Sequence, residues 1–246
     1  MRDVDSTSIL ADVKKNNVKL IILQFVDILG NLKSVTIPAE LLETVIENGN
    51  PFDGSSIEGF VRIHESDMVA NPDLSTYKIL PGRSKDRQEA RIICDISRPG
   101  NKPFEGDPRH ILKNALSDLK RQGYQFHLGP ELEFFLLQNN GLPLTSPISH
   151  DQGGYFDYSP LDMAYDIRRD AIFELQQMGF EIEMSHHEVA PGQHEIDFKF
   201  ENALLAADNV VNYRSILKSI ALAHGLHATF MPKPFFGQNG SGMHVH

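Results

Sequence analysis

Three times in its second half the chain runs from a helical pattern through a glycine into an apolar strand-like run. The first unit opens with Asp107 as cap and Pro108 as first helical residue. It carries Ile111, Leu112, Ala115, Leu116 and Leu119 at helical spacing, stops at Gly123, and continues as a strand over Tyr124 to Leu137. The second opens at Ser159-Pro160, runs through Met178 to Gly179, and turns strand-like from Phe180. The third spans Asn202 to His224, ends at Gly225, and leads into Leu226 to Met231. The units share no sequence similarity, so they describe an architecture and not a repeat. Helices alternating with strands, and covering one face of a sheet, predict an α+β domain.

The first part of the chain reads as a smaller domain. A short helix starts at Asp5 or Ser6 and ends near Asn16-Asn17. Leu20 to Val26 and Lys33 to Ile37, joined by Gly30-Asn31, predict a β-hairpin. Pro38 and Gly49 bracket a helix over Ala39 to Asn48. A Gly/Ser-containing loop follows from Pro51 to Ser56, and Arg91 to Ile96 is strand-like. The Pro/Gly-rich stretch Arg98 to Pro103 is the expected linker, giving domains over 1–98 and 107–246. The closing Met243-His244-Val245-His246 alternates as the middle of a strand does, so the expectation is a chain cut short.

Charge and cysteine usage narrow the function classes. Thirty-three acids against 23 bases leave a formal net charge of −10, which argues against a surface for nucleic acid or an anionic membrane. The single cysteine, Cys94, leaves no intrachain disulfide and no thiolate zinc site; within Ile92-Ile93-Cys94 it reads as a buried, inert thiol. No apolar run approaches membrane-spanning length, and Met1 to Ser8 lacks the pattern of a signal peptide, so the cytosol is the expected compartment.

Three constellations carry chemistry. In Gly129-Pro130-Glu131-Leu132-Glu133-Phe134-Phe135 two carboxylates project from one strand face. By itself the pair reads equally as the wet side of a half-buried strand. The second constellation, His186 to Glu195, contains Pro191-Gly192, the residues of a tight turn at its second and third positions. A turn over Ala190 to Gln193 predicts Glu188 directly opposite Glu195, and Glu183 opposite Phe200. Opposed carboxylates repel, and a divalent cation is the expected neutraliser. In the third, Gly237 to Gly242 allows close backbone approach to a ligand, and His244 and His246 share a strand face. Many acids, one or two histidines and no thiolate suit Mg²⁺ or Mn²⁺. Neither a P-loop nor a dinucleotide-binding glycine pattern occurs.

Asp53-Gly54-Ser55-Ser56, the Glu131/Glu133 motif, the His-His-Glu hairpin, Lys233-Pro234 and the run from Asn239 to His246 occur in the order found in type I glutamine synthetases. The chain resembles that family over nearly its whole length, and the seven-residue spacing from Glu188 to Glu195 resembles its Gram-positive-like branch. The resemblance implies a β-grasp-like N-terminal domain followed by part of a catalytic α+β domain with a curved antiparallel sheet. It implies ATP-dependent joining of ammonia to glutamate through γ-glutamyl phosphate, in a homo-oligomer of stacked rings. Glu133, Glu188 and Glu195 match the acids of one metal site, and Glu131 and His244 match ligands of the ATP-side metal. Glu183, Phe200 and His246 match nucleotide contacts, and Asn239 and Gly240 match the loop that holds glutamate. Asp53 matches the acid that binds ammonium and takes its proton, delivered from the neighbouring subunit. Arg62 matches a position tied to glutamine feedback.

The family continues well beyond the histidine motif, with a third ligand for the ATP-side metal, several arginines and a closing flap. None of these lies within the 246 residues, so the chain alone is expected to be inactive. Two rival readings are a glutamate–polyamine ligase and a non-catalytic interaction protein; the Asp53 loop favours ammonium over a larger amine. His64, His110, His127, His150, His224 and His227 have no motif support and read as structural or surface residues.

Overall fold

The computed structural model describes residues 5–57, 59–61, 66–81, 88–139 and 147–246. By packing, the chain forms two compact units that divide between Gln125 and Phe126.

The first unit contains α1 (Ser6–Lys15), β1 (Val18–Val26), β2 (Leu32–Pro38), α2 (Leu42–Asn48), β3 (Asn50–Asp53), β4 (Asp67–Ile79), β5 (Gln88–Arg98), β6 (Lys102–Pro103) and α3 (Pro108–Arg121). Its sheet runs β2-β1-β5-β4-β3, with β6 on β5; β1 and β5 are parallel and the remaining pairs antiparallel. Asp5 opens α1 by accepting the Thr7 N–H, and Ile9 and Val13 turn into the core. Every residue from Ala90 to Cys94 of the central strand β5 is buried, as expected of a strand covered on both faces. Burial pushes the Cys94 thiol up, in keeping with an inert cysteine. The predicted helices and the β1–β2 hairpin are present.

Strand β4 is not evident from the sequence, because Asn71, Pro72 and Asp73 read as breakers. The register explains how they are tolerated: pairing with β5 shifts between Asp73 and Lys78, so the breakers border a bulge. Helix α3 docks on the same sheet through ions. Arg109 reaches Asp95 at 2.6 Å and Asp73 at 2.8 Å, and Lys113 reaches Asp95 at 2.5 Å. Asp107 accepts the Arg109 N–H at the helix start and the Ile96 N–H of β5. α3 therefore packs within the first unit, although in sequence it follows the Arg98–Pro103 linker.

The second unit contains β7 (His127–Leu128), β8 (Pro130–Gln138), α4 (Tyr165–Gln177), β9 (Ile182–His187), β10 (Gln193–Phe198), β11 (Glu201–Asn202), α5 (Ala203–Ala223), β12 (Leu226–Thr229) and β13 (Met243–Val245). Its main sheet is antiparallel throughout, in the order β12-β8-β10-β9. Both β12 and β13 pair with β8, β12 along Phe135–Gln138 and β13 along Pro130–Leu132. Phe180, Phe198, Tyr213, Phe230 and Phe134 form a chain of ring contacts inside the unit, with centroids 5.2 to 6.0 Å apart.

The second helix differs from expectation at its start. The Ser159-Pro160 signal falls in an irregular segment, and α4 begins at Tyr165. Asp162 is the reason. Its carboxylate accepts the Ala164 N–H at 3.0 Å and grips Arg168, inside the helix, at 2.6 Å. Among the described residues no helix is long and apolar enough to cross a membrane.

Candidate metal centre

β8 is the spine of the site. Its two same-face acids meet partners along opposite edges. Glu131 lies opposite His244 of β13, and Glu133 lies opposite Glu195 of β10. Glu131 also meets His244 Nδ1 at 3.3 Å and His246 Nε2 at 3.1 Å, so the period-two prediction for the histidines is met.

The hairpin differs from its prediction in register. The turn is where expected, with Gln193 N–H donating to Ala190 O at 3.0 Å and Gly192 at φ +71°. The ladder, however, closes on Glu188 N–H to Gln193 O at 2.7 Å, because Val189 stands outside it with its N–H on Glu188 Oε2. Glu195 consequently faces His186 and not Glu188. Nor does Glu183 face Phe200: Asp197 pairs Met184 and Phe198 pairs Ile182, which leaves Glu183 as the extra residue of a bulge.

The two-residue shift inserts an imidazole between two acids. His186 Nδ1 is 3.4 Å from Glu188 Oε1, and its Nε2 is 3.3 Å from Glu195 Oε2. One potential ligand atom from each of His186, Glu188 and Glu195 lies within 4.8 Å of the others. The carboxylates directly opposed are Glu133 and Glu195. Burial pushes the Glu195 carboxyl up to about 8, and the charges of Asp197, Glu133, Glu188 and Glu131 add to the shift. Burial also raises Asp197, with Glu131 adding, and raises Glu133, with Glu188 adding. Glu195 Oε1 is buried and meets no hydrogen-bond donor among the described residues. An acid that is buried, surrounded by acids and short of a donor is the environment a hard divalent cation would relieve. The donor set fits such an ion.

The glycine loop packs over this cluster. Gln193 Nε2 donates to Glu133 Oε2 at 2.6 Å and to Gly240 O at 2.9 Å. A Cβ at Gly242 would sit 2.7 Å from Glu133 Oε1, so a side chain there would push the Glu133 carboxylate aside. Asn239 beside it is exposed. At the far end of β8, Gly129 exchanges backbone hydrogen bonds with His246 at 2.9 and 3.0 Å. A Cβ on Gly129 would stand 3.4 Å from Phe200 Cβ, so Phe200 and His246 converge there. The Phe200 ring is exposed, with His127 edge-on at 6.0 Å.

Asp53 is an exposed residue of the first unit. The Ser55 hydroxyl at 2.6 Å and the Ser55 N–H at 2.9 Å hold its carboxyl below the usual range. Arg62 lies outside the described residues.

His186, Asp197, Gln193 and Asp151 join the site although the sequence reading assigned none of them a role. For Asp197 a signal existed, since it is two residues from Glu195 on β10, and His186 stands two residues before Glu188, which lies just past the end of β9. Behind the ligands, Asp151, His187, His194, Arg168 and Asp162 form a buried polar network. His187 Nε2 lies 3.0 Å from Asp151, and Arg168 Nη1 donates to His194 Nδ1 at 2.9 Å. Burial and the neighbouring Arg168 charge push His194 far down. Burial alone would raise Asp151, but the His187 hydrogen bond and neighbouring charges hold its carboxyl below the usual carboxylate range.

Comparison with known proteins bears directly on this arrangement. Residues 17–99 match the glutamine synthetase beta-Grasp domain, and residues 105–246 match the glutamine synthetase catalytic domain. The chain belongs to the glutamine synthetase family. It is 54% identical over 233 residues to a glutamine synthetase of Clostridium saccharobutylicum, covering 95% of this chain and 53% of that protein. It is 54% identical over 242 residues to one of Methanocaldococcus jannaschii, with the same coverage of 95% and 53%. The chain thus spans about half the length of the curated relatives it matches. A Plasmodium falciparum glutamine synthetase structure superposes on all of this chain and on 54% of its own, with a TM-score of 0.90 at 26% identity. A GmaS/ADP complex superposes with a TM-score of 0.86 at 28% identity, covering 96% of this chain and 54% of its own. The fold class is accordingly a β-grasp domain followed by an α+β domain.

Proposed function

We propose that this chain belongs to an ATP-dependent glutamate–ammonia ligase that makes glutamine through γ-glutamyl phosphate. The observation that carries the reading is the buried Glu195, directly opposite Glu133 and with one oxygen unserved. Glu133, Glu188 and Glu195 would hold one Mg²⁺ or Mn²⁺, and Glu131 and His244 a second. When bound, such cations neutralise the anionic phosphates and carboxylate that must approach one another. Glu183, Phe200 and His246 are assigned to ATP: the exposed Phe200 ring offers a face for a base, and His246 lies beside it at Gly129. Asn239 and Gly240 are assigned to glutamate, and the Gln193 link holds the Gly240 carbonyl close to Glu133.

Asp53 is assigned to the second half-reaction. Its serine contacts keep it ionised, so it attracts ammonium, and it accepts the proton released as ammonia attacks. The reading places Asp53 in the site of a neighbouring copy within a cytosolic homo-oligomer of stacked rings, and assigns Arg62 to glutamine feedback. It keeps 1–98 and 107–246 as the functional division. The test uses full-length enzyme. Asp53→Ala should cut ammonia use far more than formation of γ-glutamyl phosphate, and equal loss of both would overturn the assignment.

A further inference from the structure

Behind the proposed ligands, one carboxylate gathers the segments that present them. Asp151 is 4% exposed. Its Oδ1 accepts the Gly192 N–H at 2.8 Å and the Gly153 N–H at 3.4 Å, and stands 3.0 Å from His187 Nε2. Its Oδ2 accepts the Met163 N–H at 3.2 Å. The four donors come from the hairpin turn, the end of β9, and both ends of the irregular segment between Gly153 and Met163.

His187 carries this hold to the ligands. Its Nδ1 lies 2.6 Å from Glu188 O, and a carbonyl can only accept, so the ring donates there. Its Nε2 donates to Asp151 by the same logic. The ring is clamped between a carboxylate and the peptide of Glu188. The neighbouring glycines leave the clamp no slack. A Cβ at Gly153 would sit 2.7 Å from His187 Nε2, and one at Gly192 would sit 2.5 Å from Ser149 Oγ and 2.9 Å from Leu136 O. The segment that Asp151 pins at both ends also carries Tyr155 and Phe156, whose rings stand edge-on to His186 at 5.5 and 4.8 Å. Phe156 N–H donates to His187 O at 3.1 Å.

We propose that Asp151 is a positioning residue of the metal site, setting Glu188 and His186 against Glu195 from outside the ligand set. The inference rests on the metal-site reading above. A carboxylate suits the position because both oxygens accept and none of the four partners there offers an acceptor. An asparagine would have to turn its NH₂ toward at least one of those donors.

The experiment titrates Mn²⁺ into the 246-residue chain, following free Mn²⁺ by electron paramagnetic resonance, with metal-free melting curves alongside. The parent, Asp151→Ala and Asp151→Asn are compared. Loss of such an outer support typically weakens metal binding about 10- to 100-fold, and a rise of that size in Kd is expected for the alanine variant. A smaller rise is expected for asparagine, which keeps some of the contacts. If alanine lowers the melting temperature but binds Mn²⁺ as the parent does, Asp151 is only structural and the proposal is overturned. If the alanine variant does not fold, the asparagine variant decides, and a parent-like Kd there overturns it equally. A parent that takes up no Mn²⁺ sinks the metal-site reading and this inference together. A parent that binds, with both variants its equal, sinks this inference alone.

Discussion

Clusters of partly or fully buried acids occur in both units of this chain, and they live in opposite electrical surroundings. In the first unit Asp73 and Asp95 meet cations: Arg109 bridges them and Lys113 adds a second charge. Burial alone would raise Asp73, but the Ser75 hydroxyl, Arg109 and Lys113 outweigh it and hold the carboxyl below its ordinary value. In the second unit Glu195 meets Glu133, Asp197 and Glu188, and its carboxyl is pushed up to about 8. One cluster is complete as folded and ties α3 to its sheet. Among the described residues the other is ion-paired with no lysine or arginine, and under the function proposed here a cation from solution supplies that charge. Acidic residues by themselves do not separate structure from function; the sign of what they face does.

The largest expected effect tests the completed cluster. Arg109→Met should destabilise the first unit by about 3 kcal/mol, measured by urea denaturation, since it strands two partly buried acids. A change near zero would mean that Lys113 and solvent suffice, and the contrast between the clusters would weaken.

Next comes the cation itself. At 100 times its Kd, Mn²⁺ should stabilise the second unit by about 2.7 kcal/mol, read as a rise in melting temperature. Glu188→Gln and Glu195→Gln should each abolish most of that rise. An unchanged response in both variants would remove these residues from the ligand set.

A smaller effect concerns the metal-free protein and its pH dependence. Glu195 titrates near 4.5 when unfolded and at about 8 in the fold, so between those values the native state holds the extra proton. Stability should therefore fall as pH rises across that window, with the full cost present above it. Asp73 has the opposite sign: its lowered value gives stability present above the unfolded pKa and lost as pH falls through the folded one. Glu195→Gln should flatten the first slope and stabilise the metal-free protein at the alkaline end, where the charged carboxylate carries its full cost. Urea midpoints across a pH series measure both slopes, and a Glu195→Gln variant less stable than its parent throughout would show that this acid is paired after all.

The smallest effect is Lys113→Met. The lysine is about one-third exposed and shares its acids with Arg109. Denaturation should show a loss of at most about 1 kcal/mol, well below that of Arg109→Met. A loss as large would make the two cations one inseparable unit.

Much of the site was legible in the sequence because backbone geometry imposes it locally. Residues two apart on a strand share a face, so Glu131 with Glu133, and His244 with His246, needed no tertiary information. Pro191-Gly192 selects its turn for equally local reasons, and Gly192 takes the positive φ expected there. The motif order identified the family without the fold.

What the sequence left undetermined was whatever depends on partners far along the chain. No local pattern reveals that β4 carries Pro72 beside a bulge, because tolerance of that proline depends on the register with β5. The start of α4 waits on Asp162 gripping Arg168. The hairpin shows the division within a single element. Its turn is local, but which residues face each other is tied to Asp151, which takes the Gly192 N–H from 41 positions away. That register puts His186 between Glu188 and Glu195, while the separate pairing of β10 with β8 brings Glu195 against Glu133. Sequence alone determined which acids line the strand faces. Only the tertiary structure decided which of them meet, because strand register follows from hydrogen bonds that join distant segments.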